Sequence, residues 1–448
     1  MCGFVLAIYK EHSNKDFLNN KFKEYCDFYI KKRGPTSQEI FKSDSLFAYQ
    51  STLAIQTLRD ETKPTSGLNS LKFILYNGEI YISSKDKNES DTKLIFSNWQ
   101  NGCLDKFLKK EDGMYALCTI DRTNENNIII NCYRDFPGEK HIWYYIDQNI
   151  FILSSVPAII RKYLKLTNSL RLNQSALEDY LLRRHFISPV DHPIRGIKQI
   201  LPGEKINFSS SNWSLTFENF IKETDFFSTC IYKNLLNYDQ NFYNNQFKEI
   251  LEKTLLIMEK NTPCKEVSSS IISGGLDSSI VSFILNKFNQ EIKLFTMTFQ
   301  NKDKVARNSP NLIRKLTNQN KIEHNLIECK MEDYLTSLKE SIDILSSPIT
   351  THSIPSSYLV AKEARKNGSV VLYGGEGADE IFLGYGCYSN SNLIDSDYNR
   401  IYNFFKKNLG LRKRVIDGLT NHYIESKKRE LEKFFSSVIE NNSAEKFI

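Results

Sequence analysis

The sequence predicts two unlike domains: a layered α+β domain, then an α/β domain built on a doubly wound parallel sheet. Three observations predict this. Short apolar or alternating runs separated by turn residues fill residues 2–165. Strand and helix patterns alternate from Glu266 to Tyr373, the rhythm of a parallel sheet with crossover helices. At 448 residues the chain also exceeds one ordinary domain.

In chain order, Phe4–Tyr9, Phe73–Tyr76, Tyr115–Ile120, Ile128–Tyr133, His141–Ile146 and Phe151–Ser154 read as strands broken by Gly, Asn, Asp or Pro. Phe17–Lys32 and Asp91–Trp99 carry helical spacing. Gln174–Arg184 reads as a helix, Ile187–Pro202 as a Pro- and Gly-punctuated connector, and Asn207–Gln246 as a polar linker with surface elements. Then follow strand Glu266–Ile272, helix Ser278–Lys287, strand Lys293–Phe299, helix Ser309–Asn318 and strand His324–Ile327. Helices Met331–Ser341 and Ser356–Lys366 and strand Val370–Tyr373 complete the series, and the chain beyond Tyr388 reads as helical and basic. On this basis the domains span 2–165, a connector and the start of the second domain at 166–250, and the second domain at 251–448.

Composition narrows the function classes. Hydrophobic residues make up 40% and charged residues 25%, enough apolar material for cores under an ordinary charged surface. The net charge of +6 is spread along the chain with no basic block, so nucleic acid is not the expected partner. No run approaches about 20 apolar residues, so no membrane span is expected. No leader pattern precedes Lys10. The nine cysteines (2, 26, 103, 118, 132, 230, 264, 329, 387) show neither paired nor metal-site spacing. They are expected as free thiols in a reducing compartment, with the cytoplasm as the default.

Two stretches carry chemistry. Cys2 follows the initiator in Met1-Cys2-Gly3. Removal of the methionine would place a thiol and a free α-amine on one residue, and such an amine can act as the base for its own side chain. Its pKa of about 7.7–8.0 suits that task. The second stretch is Ser273-Gly274-Gly275-Leu276-Asp277-Ser278-Ser279, set between a strand pattern and a helix pattern. Glycines allow a sharp turn and close approach to an anion, while successive amides and the helix N-terminus present positive potential. The three serines add hydroxyl donors, and Asp277 fits a Mg²⁺ ion held between phosphates. The string lacks the Gly-Lys-Ser/Thr of a Walker loop.

Ser273–Ser279 resembles the loop of N-type ATP pyrophosphatases, and with Cys2 the chain resembles the asparagine synthetase family. The implied fold is an αββα Ntn-hydrolase domain fused to an ATP-pyrophosphatase domain. Further matches run in order: Arg33-Gly34-Pro35, Asn77-Gly78-Glu79-Ile80-Tyr81, Ser90-Asp91-Thr92, Asp112–Ala116, Arg134–Lys140, Leu201-Pro202-Gly203 and Gly374–Glu380. By this resemblance Cys2 is the nucleophile, and Asn77 and Gly78 form the oxyanion hole. Glu79 lines the glutamine site and Asp91 holds the glutamine α-amine. Ser273, Gly274, Gly275, Asp277, Ser278, Ser279, Gly374 and Gly375 would bind ATP. Glu376, Asp379 and Glu380 would meet the acceptor, with Mg²⁺ on Asp277 and Asp379. The implied partners are glutamine, ATP and a small carboxylate acceptor, aspartate or a specialised one.

Two departures stand out. Thr52 occupies the place where the family carries an arginine that clamps the glutamine carboxylate, which leaves Arg33 or Arg59 to reach in, a weaker grip, or another amide donor. No counterpart of the family's C-terminal Arg-Val-Pro-Phe-Leu-Asp segment precedes Ile448, and Lys446 lacks supporting context. A homodimer or a second subunit supplying those elements is therefore entertained, with Arg412–Lys433 as a docking helix. The alternative is a catalytically impaired relative that binds nucleotide or a partner.

Overall fold

In a computed structural model, the described residues are 2–10, 14–53, 71–81, 90–124, 127–221, 240–261, 268–299, 317 and 322–382. Strand β1 (Gly3–Tyr9) is buried along its whole length. Phe4, Leu6 and Ile8 face one apolar cluster, and Val5, Ala7 and Tyr9 face another. Two apolar faces require a covering layer on each side.

The first layer pair follows from this. β1 is central in a six-stranded sheet with β2 (Ser37–Lys42), β3 (Leu46–Thr52), β7 (Trp143–Ile146), β8 (Ile150–Ser154) and β9 (Lys198–Gln199), in the order β2-β3-β1-β8-β7-β9. A second sheet holds β4 (Lys72–Tyr81), β5 (Asp112–Asn124), β6 (Asn127–Arg134), β10 (Glu204–Ser209) and β11 (Ser214–Asn219), in the order β11-β10-β6-β5-β4. Phe4, Leu6, Leu46, Ala48, Phe73, Leu75, Ile206 and Phe208 fill the space between the sheets. Helices α1 (Lys15–Tyr29) and α4 (Pro157–Leu166) pack on the outer face of the first sheet. Helices α2 (Asp91–Gln100) and α3 (Leu104–Lys110) pack on that of the second. The result is the expected αββα sandwich. Helix α5 (Gln174–Arg183) lies between α4 and β9 in the chain.

Some expectations change. Residues 198–219, expected within a connector and linker, are strands β9 to β11 of the sandwich. Their alternation was obscured because β11 is an edge strand with much of its surface in water. Helix Phe17–Lys32 ends at Tyr29 and continues as a 3₁₀ turn, Lys31–Arg33. Cys118 and Cys132, expected as free thiols, lie opposite each other on β5 and β6 and are joined as a disulfide. Sequence spacing gave no sign of this pairing because strand register, not separation, brings them together. Cys2, Cys26, Cys103 and Cys329 are free. Helix Ser309–Asn318, residues 222–239 of the linker, Arg59 and everything beyond Phe382, including Arg412–Lys433 and Lys446, lie outside the described residues apart from Thr317.

The second domain has four parallel strands: β12 (Ser268–Ile271), β13 (Lys293–Phe299), β14 (His324–Cys329) and β15 (Val371–Tyr373), in the order β14-β13-β12-β15. Helices α6 (Gln240–Lys260) and α7 (Leu276–Phe288) cover one face, through Leu255, Ile284 and Leu285. Helix α9 (Ser353–Lys366) covers the other through Val360 and Ala364. The strand order reverses between β12 and β15, and crevices for ligands form outside the carboxyl ends of strands at such a switch point. Glu259 of α6 is buried and accepts hydrogen bonds from Ser268, Asn289 and Tyr373.

Helix α8 (Met331–Leu345) joins the two domains. Its last carbonyls have no partner within the helix, and the first domain supplies donors. Arg161 bonds the carbonyl and pairs with the carboxylate of Asp343. His192 Nδ1 accepts from the Ile194 amide at 3.0 Å, so Nε2–H donates to Leu345 O, also at 3.0 Å. Tyr180 donates to Ile349 O at 2.8 Å. Burial pushes the His192 pKa down from 6.5 to about 4, with Arg161 contributing. The folded state thus favours neutral imidazole. That stabilisation is fully present above pH 6.5 and is lost as pH falls toward 4, up to about 3 kcal/mol. Thermal melts are expected to show a fall in Tm across this window that His192→Gln reduces. An unchanged slope would remove His192 from the acid sensitivity.

Candidate active sites

The apolar ladder between the two sheets ends in polar side chains at one edge. Along β1 the inward series Ile8, Leu6, Phe4 reaches Cys2; along β3, Leu46 and Ala48 reach Gln50; along β4, Phe73 and Leu75 reach Asn77 and Glu79. The two-residue period of a strand therefore aims Cys2, Gln50, Asn77 and Glu79 into the same intersheet space. Cys2 is half-buried, and Gln50, Asn77 and Glu79 are nearly or fully buried.

Cys2 Sγ lies 3.3 Å from the Leu53 amide, which donates to it, and 3.7 Å from the Leu53 carbonyl. Burial pushes the thiol pKa up. The Leu53 amide, the charge of the chain's amino terminus and Arg33 pull it back, while Glu79 raises it. Arg33 Nε donates to Cys2 O at 3.0 Å. Gly3 makes room for this contact, because a Cβ there would meet Arg33 Cδ and Nε at 3.1 Å.

Gln50 is a residue that sequence reasoning missed. Its Nε2 donates to Tyr76 O at 2.8 Å and its Oε1 accepts from Tyr76 N at 3.1 Å. The carboxamide thus imitates a neighbouring strand and ties β3 to the free edge of β4. A lone Gln at an inward position of an apolar strand was the available signal.

Alternation along β4 isolates one donor. Tyr115 exchanges its backbone bonds with Asp135, so it does not pair with Gly78, the residue opposite it on β4. Tyr76, Gly78 and Ile80 then turn their amides to the open edge. Tyr76 N is met by Gln50 and Ile80 N by Asp91 Oδ2 at 2.9 Å. Gly78 N, between them, has no hydrogen-bond partner among the described residues, and neither has the Asn77 side-chain amide. Any side chain at 78 would strike Tyr115 Cα at 2.7 Å. Asp91 heads α2 and also lies 3.5 Å from the Tyr76 hydroxyl, so its Oδ2 is engaged in holding α2 on β4.

The second site lies at the switch point. Ser273 follows β12, Gly274 adopts φ +84°, and Gly275 caps α7. The serines set the turn: Ser278 Oγ accepts from Ser273 N at 3.1 Å, and Ser279 Oγ donates to Gly275 O at 2.7 Å. Gly375, after β15, abuts the start of α7, where a Cβ would meet Ser278 N at 2.7 Å and Asp277 C at 3.0 Å. The structure thus brings both Gly-rich loops together at the α7 N-terminus. Glu376 and Glu380 are exposed and Asp379 half-buried, on or before the short helix α10 (Ala378–Phe382). No group of three or more His, Cys, Asp or Glu gathers as a metal site among the described residues. The carboxylates present suit an ion that shares its coordination with phosphates, as Mg²⁺ commonly does. Among the described residues, no helix is long and apolar enough to cross a membrane.

Tyr81 lies two residues past Glu79. Burial, the Glu79 carboxylate and the hydroxyl of Tyr373 all push its phenol pKa up. Tyr373 immediately precedes the Gly374–Glu380 loop.

Comparison with known proteins matches these two units. A glutamine amidotransferase domain family matches residues 1–220, and the asparagine synthase family matches residues 264–445. Asparagine synthetase [glutamine-hydrolyzing] 1 of Bacillus subtilis is 24% identical over 91% of this chain, which spans 62% of that protein's length. Putative asparagine synthetase [glutamine-hydrolyzing] 2 of Methanocaldococcus jannaschii is 26% identical over 95% of this chain and 83% of its own length. For the Rattus norvegicus asparagine synthetase [glutamine-hydrolyzing] the identity is 24%, over 70% of this chain and 54% of that protein. The two domains, in this order and over nearly the whole chain, make it a member of the asparagine synthetase-like family, a glutamine amidotransferase domain fused to a synthetase domain.

Proposed function

We propose that the chain is a glutamine-dependent, ATP-using carbon–nitrogen ligase that amidates a small carboxylate. The observation that carries this is the Gly78 amide, left open between two satisfied neighbours and beside the unpartnered Asn77 amide, at the edge that also holds Cys2. Preorganised donors of that kind are worth about 2.7–4 kcal/mol each to an oxyanion.

After removal of Met1, the Cys2 amine takes the thiol proton and Sγ attacks the glutamine amide carbon. The developing oxygen charge is held by Asn77 and Gly78. The proton passes to the leaving nitrogen, ammonia departs, and water hydrolyses the thioester to glutamate. In the second domain, the Ser273–Ser279 loop and Gly374–Gly375 cradle ATP at the α7 N-terminus. The acceptor carboxylate attacks the α-phosphorus and pyrophosphate leaves. Ammonia then displaces AMP from the acyl carbon. Mg²⁺ bound with ATP would neutralise phosphate charge, with Asp277 and Asp379 as its protein ligands. We assign the exposed Glu376 and Glu380 to the acceptor, and the buried Glu79 and Asp91 to glutamine.

Incubation with ATP, Mg²⁺, glutamine and a panel of carboxylates, aspartate among them, is expected to yield AMP, pyrophosphate and one amide in equal amounts. Glutamate released without AMP for every carboxylate would reduce the chain to a glutaminase.

A further inference from the structure

Glutamine carries an α-carboxylate, and an anion brought into a half-buried site needs a cation there. Thr52 ends β3 beside Leu53 and has no charge to offer. The chain around it nevertheless carries one. Gly34 packs against the Thr52 backbone, Thr36 N donates to Thr52 O at 3.1 Å, and Pro35 bridges to Thr52. Arg33 therefore enters the site from the residue next to this contact, crosses over Gly3, and is fixed by Nε on Cys2 O.

The terminal nitrogens of Arg33 make no hydrogen bond or ion pair among the described residues. Burial pushes the Arg33 pKa down, and the nearby group opposing this is the Cys2 thiol rather than a carboxylate. Lys140, a buried cation near Arg33, is different: it lies among Glu139, Glu79 and Asp135. That cation is thus already balanced by acids, while Arg33 presents a planar, two-nitrogen face without an anion among the described residues.

Resting on the glutaminase role proposed above, we infer that Arg33 binds the α-carboxylate of the amide donor, as a bidentate clamp at the place where Thr52 leaves no charge. Cys2 and the clamp then sit on one side chain's length, so the grip that recognises the donor also fixes the carbonyl of the attacking residue.

The test compares L-glutamine with its α-carboxamide, which keeps the side-chain amide and loses the negative charge. The wild type is expected to prefer glutamine by about 10- to 100-fold in kcat/KM, the range for a charged hydrogen-bonded pair. Arg33→Gln should bring that ratio close to one, largely by raising KM for glutamine. Arg33→Lys should keep part of it, because a point charge cannot make the two-pronged contact. Because Arg33 also holds Cys2, its replacement slows both donors by a common factor, which cancels in the ratio. A preference that survives intact in Arg33→Gln overturns the inference and leaves the glutaminase reading standing. So does a wild type that hydrolyses both donors equally. A wild type that releases ammonia from neither overturns both.

Discussion

Cys2→Ala is expected to lower ammonia release from glutamine by about 10⁴-fold or more, the scale seen when a covalent nucleophile is removed. Amidation driven by free ammonia should continue, because the switch-point site shares no residue with the Cys2 site. The environment of Cys2 makes the effect large. Burial favours the neutral thiol, and the Leu53 amide, the terminal charge and Arg33 only partly offset that. Deprotonation thus depends on a base at hand, and the thiol has no His or carboxylate hydrogen-bonded to it among the described residues. The check is a pair of assays on one preparation, glutamate from glutamine and AMP from ATP with ammonium. Product still formed from glutamine by Cys2→Ala would remove the thiol from the mechanism. Mass spectrometry of the purified wild type should find Cys2 as the first residue.

Gly375→Ala is expected to cut ATP–pyrophosphate exchange by about 100-fold, with glutamine hydrolysis little changed. The added carbon would lie 2.7 Å from Ser278 N and 3.0 Å from Asp277 C. Both are backbone atoms of the first turn of α7, so relief requires moving the loop that is proposed to hold the phosphates. Misplacement by about 1 Å is enough to cost two orders of magnitude in a positioned reaction. Overpacking should also lower stability by about 1–3 kcal/mol, visible as a lower urea midpoint. Unimpaired exchange would show that the 374–380 loop does not border the nucleotide.

Much of the site was legible in local pattern. Cys2, Asn77-Gly78 and Ser273–Ser279 stand out as candidates because the proposed chemistry needs those residue types in fixed order beside strands and helix starts. The edge strands were not legible. Residues 214–219 form the edge strand β11 although their polar composition resembles a linker, since one face of an edge strand meets water. The Cys118–Cys132 pairing likewise depends on the β5–β6 register, which no spacing encodes.

The sequence by itself determined the order of the two domains and marked the proposed nucleophile, oxyanion donors and phosphate loop, because each rests on a short contiguous string. The tertiary structure decided what those strings face. Gln50 stitches one sheet to the edge of the other, and Asp91 is engaged on Ile80, so Gly78 alone keeps an open amide between them. The parallel order β14-β13-β12-β15 sets two loops about 100 residues apart, after β12 and after β15, against each other at the α7 N-terminus. Arg33 reaches Cys2 across Gly3 from beside the uncharged Thr52. Each of these depends on which strand lies next to which, and contacts between distant segments are fixed by packing and register, not by neighbouring residues in the chain.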